Sequence, residues 1–308
     1  MEQISVTNPV SRAIEQVKQV LFRPFDLTKW ITIGFCAWLA GLGEAGGGSS
    51  GFHGNSSNRT PTNFQQDLEH ARSYVVENLA WIVPLAVFIL VVIVAMTVLF
   101  LWLNSRGKFM FVYCVALNRA EVVTPWNHYR QLANSLFAFR LVLIGLNMLI
   151  TLPLLAVMAM LGWPMLRDSA WNLAGIFGLA AIFLAMLAVG IFFVILRKLT
   201  TDFVVPLMYL RGSKCLAAWG EFRQMLASNF GGFVLYLLFQ ILLSLAIGIM
   251  LLIIIILTCC IAGCVLAIPF VGTVLLLPLL VFRRAYSLYY LAQYGPSYNV
   301  FLPVPAAA

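Results

Sequence analysis

Hydrophobic residues along this chain gather into long runs with almost no charge. Six stand out: roughly Leu27 to Gly43, Leu79 to Leu103, Leu136 to Trp163, Leu173 to Leu196, Gly232 to Thr258 and Cys264 to Phe282. A bilayer core of about 30 Å takes about 20 apolar residues as a helix, so each run predicts a membrane-spanning helix. Residues 231 to 282 carry no charge at all. At about 1.5 Å per residue, one helix of that length would be more than twice too long for a membrane, and the chain is expected to fold back near Cys260 to Gly263.

Basic residues then set the sidedness. Arg12, Lys18 and Arg23 precede the first run and Lys29 stands at its start; Arg106, Lys108, Arg119, Arg130 and Arg140 follow the second; Arg197, Lys198, Arg211, Lys214 and Arg223 follow the fourth; Arg283 and Arg284 follow the sixth. The alternate connections hold only Arg59, Arg72 and Arg167. The positive-inside bias therefore predicts a multi-pass protein of the cytoplasmic membrane with both termini cytoplasmic. Met1 to Val20 lacks an apolar signal-peptide region, so the first span is expected to act as its own insertion signal. Residues 43–63, with Gly46 to Gly51 at their centre, read as a flexible Gly/Ser-rich external loop.

Composition agrees with this environment. Of the 308 residues, 62% are hydrophobic and 10% charged, and the mean hydropathy is +0.95, which excludes a water-soluble domain. The net charge of +8 fits the basic connections; with no long basic run on a soluble fold, nucleic acid is not an expected partner.

The basic connections also repeat. Trp126-Asn127-His128-Tyr129-Arg130-Gln131-Leu132 and Trp219-Gly220-Glu221-Phe222-Arg223-Gln224-Met225 share one chemical outline, and Ile14-Glu15-Gln16-Val17-Lys18-Gln19-Val20 is a weaker third copy. Each reads as an amphipathic helix ahead of a span, with Ile14, Val17 and Leu21 on the apolar face of the first. An aromatic ring half sunk in the interface with a cation at its edge suits the headgroup level, so Lys18, Trp126, Arg130, Trp219 and Arg223 are the expected lipid or partner contacts. Asp26, Ser135 and Ser228 stand where N-caps for the following spans are needed. The predicted fold is all-α: a polytopic membrane protein of six transmembrane helices in three parallel repeats, near 10–117, 118–210 and 211–308, each an interfacial amphipathic helix plus a helical hairpin. Helices are expected to continue past the second, fourth and sixth spans, with Gly212 and Gly295 as C-cap glycines.

Leu21-Phe22-Arg23-Pro24-Phe25-Asp26-Leu27-Thr28-Lys29-Trp30, the glycine-rich tract, and the closing Ile268-Pro269-Phe270, Phe282-Arg283-Arg284-Ala285-Tyr286-Ser287-Leu288 and Tyr294-Gly295-Pro296 carry a resemblance over nearly the full length. The chain resembles a family of uncharacterised six-span prokaryotic membrane proteins, itself distantly similar to the membrane domain attached to some glycerophosphodiester phosphodiesterases. The resemblance implies a fold and topology and no activity, and the catalytic barrel of the phosphodiesterase version has no counterpart here.

Candidate chemistry is sparse. Glu44, Arg140, Arg167 and Asp202 sit at predicted span ends, where snorkelling accounts for them. Asn147, Gln240 and Ser244 are polar at depth and read first as interhelical hydrogen-bonding groups. Cys259, Cys260 and Cys264 lack a neighbouring His or acid to complete a metal site, and His53, His70 and His128 are dispersed. Ala174, Gly178, Ala181, Ala185 and Ala188 form a small-residue stripe for close helix packing, within the chain or across a subunit boundary. No metal or cofactor is expected, and no acid, base and nucleophile converge on an enzyme site. The sequence therefore reads as a non-enzymatic integral membrane protein, a lipid-interacting or complex-associated scaffold at the inner leaflet. Membrane lipids and a membrane-protein partner or a second copy are the expected partners. The alternative is a small-solute transporter or channel, in which proline-broken spans would open a cavity lined by Asn147, Gln240 or Ser244.

Overall fold

The computed structural model describes residues 5–42, 78–167, 173–258 and 261–301. The described residues are 88% helical and contain no strand. The helices are α1 (Asn8–Val17), α2 (Leu27–Gly41), α3 (Leu79–Leu117), α4 (Val123–His128), α5 (Arg130–Arg167), α6 (Leu173–Leu199), α7 (Val205–Arg211), α8 (Cys215–Ser228), α9 (Phe230–Leu257), α10 (Ile261–Ala267), α11 (Val271–Leu275) and α12 (Leu277–Ala292). Single π turns follow α1 at Lys18–Phe22 and α6 at Thr200–Val204. The predicted loop at 43–63, with Glu44 and His53, and His70, Cys259 and Cys260 lie outside the described residues.

Four helical stretches are long and apolar enough to cross a membrane: Ala80–Leu117, Arg130–Met165, Leu173–Arg211 and Phe230–Leu257. They coincide with the second to fifth predicted spans. Pro84 and Pro153 lie inside continuous helices and do not break them. The first predicted span forms α2, 15 residues and about 22 Å long. The sixth is divided among α10, α11 and α12, with breaks around Pro269 and just before Pro278.

The chain separates into two compact units, Gly41–Asn104 and the remainder. Within the first, the side-chain amide of Asn104 donates to Leu42 O at 2.7 Å. The apolar residues of α3 from Trp81 to Phe100 are broadly exposed, as a lipid-facing helix requires.

In the larger unit, burial is concentrated where the long helices continue beyond their apolar stretches. Phe109–Ala116, Leu199–Tyr209 and Arg284–Leu288 are almost wholly buried. The most apolar 18-residue windows of the long helices are at most 6% buried. Phe203, fully buried, is ringed by Phe222, Phe233, Tyr236 and Tyr290 at centroid distances of 5.4, 5.1, 4.9 and 5.9 Å. Contacts of this kind each add about 0.5–1.5 kcal/mol beyond area burial. The N-terminal helix closes this core against α12: Tyr286 donates to Val6 O at 3.0 Å, and Ser5 and Gln293 exchange two hydrogen bonds of 2.8 and 3.0 Å.

The amphipathic segments are helical, with three differences from expectation. In α1 the buried positions are Pro9, Ala13 and Gln16 while Ile14 is 45% exposed. Gln16 turns inward because its amide donates to Val115 O at 2.9 Å and accepts from the Tyr289 hydroxyl at 3.0 Å, so a polar residue rotates the face. The second segment breaks at Tyr129, which leaves Trp126 on α4 and Arg130 on α5. Of the expected caps, Asp26 caps α2 by accepting from Thr28 N at 2.8 Å. Ser135 lies inside α5 and accepts from Cys215 N at 3.1 Å, capping α8 instead, whereas the Ser228 hydroxyl donates to Met225 O within its own helix. Helix ends follow local chemistry elsewhere: Asn118 at φ 55° follows α3 and Gly212 at φ 62° follows α7.

Candidate functional site

The π turn Thr200–Val204 is built around a missing donor. Val205 N–H bonds to Thr200 O, five residues back. The next amide in that register belongs to Pro206, which has none, so Thr201 O is left to other donors. Arg284 on α12 fills it, its guanidinium donating at 2.6 Å. Lys108 on α3 donates to the Thr201 hydroxyl at 2.6 Å. Two cationic heads from different helices thus meet on one residue, with Lys108 only 4% and Arg284 7% exposed.

Beside it, Asp202 accepts from Lys198 at 2.8 Å and from the Tyr236 hydroxyl at 3.0 Å. Tyr236 in turn accepts from the Gln240 amide at 3.1 Å. Gln240 is 3% exposed and its Oε1 has no hydrogen-bond partner. One further turn along, Arg283 donates to the Ser244 hydroxyl at 3.2 Å. Tyr236, Gln240 and Ser244, at i, i+4 and i+8, form a polar stripe down one face of α9. Asp202 is almost wholly buried and held by two donors, one of them cationic, an arrangement a low-dielectric interior tolerates. Asp202 therefore belongs to an enclosed ionic network rather than to a snorkelling span end.

The five expected interface residues occupy different settings. Trp126 is half-buried beneath Arg106, whose guanidinium carbon sits 4.6 Å from the ring centroid. Trp219 packs against Phe222 and Phe139 at 5.4 and 6.0 Å. The two tryptophans are each half-buried against these partners, while Lys18, Arg130 and Arg223 are exposed. Tyr129, stacked on Phe109 at 6.0 Å, has its hydroxyl pKa raised by burial. Of the small-residue stripe, Gly178 is half-buried, a Cβ there lying 3.9 Å from Leu161. Ala174, Ala181, Ala185 and Ala188 are exposed, because α6 turns Leu179, Ile182, Met186 and Phe193 inward instead.

Asn147 is half-buried, with an unpartnered Oδ1. An apolar groove of about 540 Å³ lies among Leu251, Ile254, Thr258, Ile261, Leu266 and Leu276; Asn147, Gln240 and Ser244 are not in its lining. Among the described residues no three His, Cys, Asp or Glu side chains are grouped as a metal site needs.

Residues 4–304 match the model of a family described as a family of unknown function, DUF7544. No curated protein and no solved structure matches the chain.

Proposed function

The chain belongs to this family of unknown function, DUF7544, and from that premise we propose that it is a non-enzymatic integral membrane protein that engages anionic lipid through a basic, packed module at the inner leaflet. The observation that carries this reading is the distribution of burial. The apolar windows of the long helices are almost bare, as lipid contact requires, whereas the side chains that pack and pair lie at their basic ends. Arg12, Lys18, Arg23, Arg119, Arg130, Arg197, Lys214 and Arg223 are exposed around that module, and a cation near an anionic membrane surface is worth about 1 kcal/mol.

In this reading α2 and the broken run α10 to α12 complete six passes in the cytoplasmic membrane, with both termini inside. Three parallel repeats are supported by the recurrence of basic residues in the packed part of a helix: Arg106 with Lys108 on α3 and Arg284 on α12, all buried, and on α6 the half-buried Lys198 beside Asp202. The outward alanines of α6 suit contact with a second copy.

The test is lipid retention through mild detergent, read by native mass spectrometry. Wild type is expected to keep anionic over zwitterionic phospholipid, and Arg130→Ala with Arg223→Ala to lower that preference by about thirtyfold. An unchanged preference at equal expression overturns the lipid contact; a stoichiometric protein that co-purifies instead supports the complex-subunit form.

One observation favours the transporter alternative: the polar stripe on α9, with its unsatisfied Gln240 Oε1, runs along a membrane-crossing helix. Solute or ion flux in proteoliposomes that Gln240→Leu abolishes would establish that reading.

A further inference from the structure

Cys36 on α2 and Cys114 on α3 face one another with their sulfurs 3.8 Å apart. Both are fully buried. Their helices are held in antiparallel register on either side of the pair. At Gly107 a Cβ would fall 2.5 Å from Leu39 C and Ala40 N, so only glycine lets the two backbones touch there. At the other end, Lys29 Nζ donates to Asn118 Oδ1 at 2.7 Å. A disulfide needs sulfurs about 2.05 Å apart, so the pair stands about 1.8 Å from bonding, a distance that small rotations of two thiol side chains cover.

The position of the pair in the chain gives such a bond a consequence. Gly41–Asn104 is a compact unit of its own, and the chain enters it just after Cys36 and leaves it just before Cys114. We propose that Cys36 and Cys114 are a disulfide-forming site that closes the root of this unit into a covalent loop, with an apolar organic disulfide as the class of oxidant. One cysteine gives up its proton and its sulfur attacks a sulfur of the reagent; the reagent's S–S bond breaks and one small thiol departs with the electron pair and a proton. The second cysteine then displaces the other half in the same way. One organic disulfide is reduced to two thiols while two cysteines are oxidised to one bridge. Because both sulfurs are enclosed, exchange proceeds through local separation of α2 from α3. The bridge would span 78 positions of chain, a long loop, for which the restriction of the unfolded chain is large.

The experiment treats the full-length protein, in detergent and in lipid vesicles, with dithiodipyridine and maps its peptides without reduction. The expected product joins the Cys36 and Cys114 peptides, retains no pyridylthio group on either, and reverts with a reductant. Amide exchange across Leu27–Gly41 is expected to slow about tenfold once the bond forms. In Cys36→Ala, Cys114 is expected to keep the adduct, since nothing displaces it. Stable adducts on both cysteines of the wild type, or cross-linking of either to Cys215 or Cys264, would overturn the proposal. Absence of reaction at both while the exposed Cys264 is labelled would overturn it too. If Cys36→Ala does not fold, these wild-type readings decide alone.

Discussion

Replacing Phe203 and Phe183 by alanine in separate variants tests where this protein keeps its stabilising core. Both lie in the same long helical run, Leu173–Arg211. Phe203 is 0% exposed and touches four aromatic rings within 6 Å, whereas Phe183 is 61% exposed. Truncating an enclosed phenylalanine costs about 3–5 kcal/mol, through lost transfer energy and the cavity left behind. With four ring neighbours, Phe203→Ala should sit near 4 kcal/mol. Phe183→Ala removes a ring that meets lipid or detergent and should stay within about 0.5 kcal/mol. For a chain of this size about 4 kcal/mol lowers Tm by roughly 8 °C. Thermal unfolding of both variants and wild type in one detergent, followed by circular dichroism, reads the difference. Equal shifts, or a larger one for Phe183→Ala, would refute a core located at the basic ends of the helices.

Two further outcomes follow from the buried polar groups. Asp202→Ala should cost about 3 kcal/mol, less than a fully enclosed pair because Lys198 is 31% exposed, and Tyr236→Phe about 1 kcal/mol; a double-mutant cycle should show coupling near 1 kcal/mol, and strict additivity would deny the bond between them. Burial raises the Cys215 thiol from 9.0 to about 12. The unfolded thiol ionises first, so the stabilisation is complete below pH 9 and is lost as pH rises toward 12. Cys215→Ala should flatten the fall of Tm across that window, and an unaltered slope would remove the assignment.

Much of this architecture was legible in the hydrophobic pattern, and the parts that were not share a cause. The starts of α3, α6 and α9 fall within about two residues of the apolar runs, because an apolar helix of about 20 residues has one obvious environment. Their ends do not: α3 continues through Asn104, Arg106 and Lys108 to Leu117, since hydropathy marks where lipid stops and not where a helix does. Gly212 was readable as a stop because αL geometry is local chemistry. Gln16, Lys108, Asp202 and Arg284 were not readable as buried groups, because their partners Val115, Tyr289, Thr201 and Tyr236 come from distant helices. Trp126 and Trp219 could be placed on an amphipathic face by spacing, but their packing partners Arg106 and Phe139 could not be read from it. The four outward alanines of α6 show the same limit: a helical stripe can be counted from spacing, but the neighbour it meets is set by the rotation of the whole hairpin.

The seam between α1 and α12 has a consequence for biosynthesis. Ser5 and Val6 bond to groups 288 and 280 positions later, so a ribosome adding about 5–20 residues each second finishes one side tens of seconds before the other. Throughout that interval Ser5, Val6 and Gln16 lack the partners that Gln293, Tyr286 and Tyr289 supply, and every intervening segment is made before the clasp can shut. Closure of this seam is thereby timed by α12, and a chain stalled short of Tyr286 would leave it open however well its earlier helices had threaded.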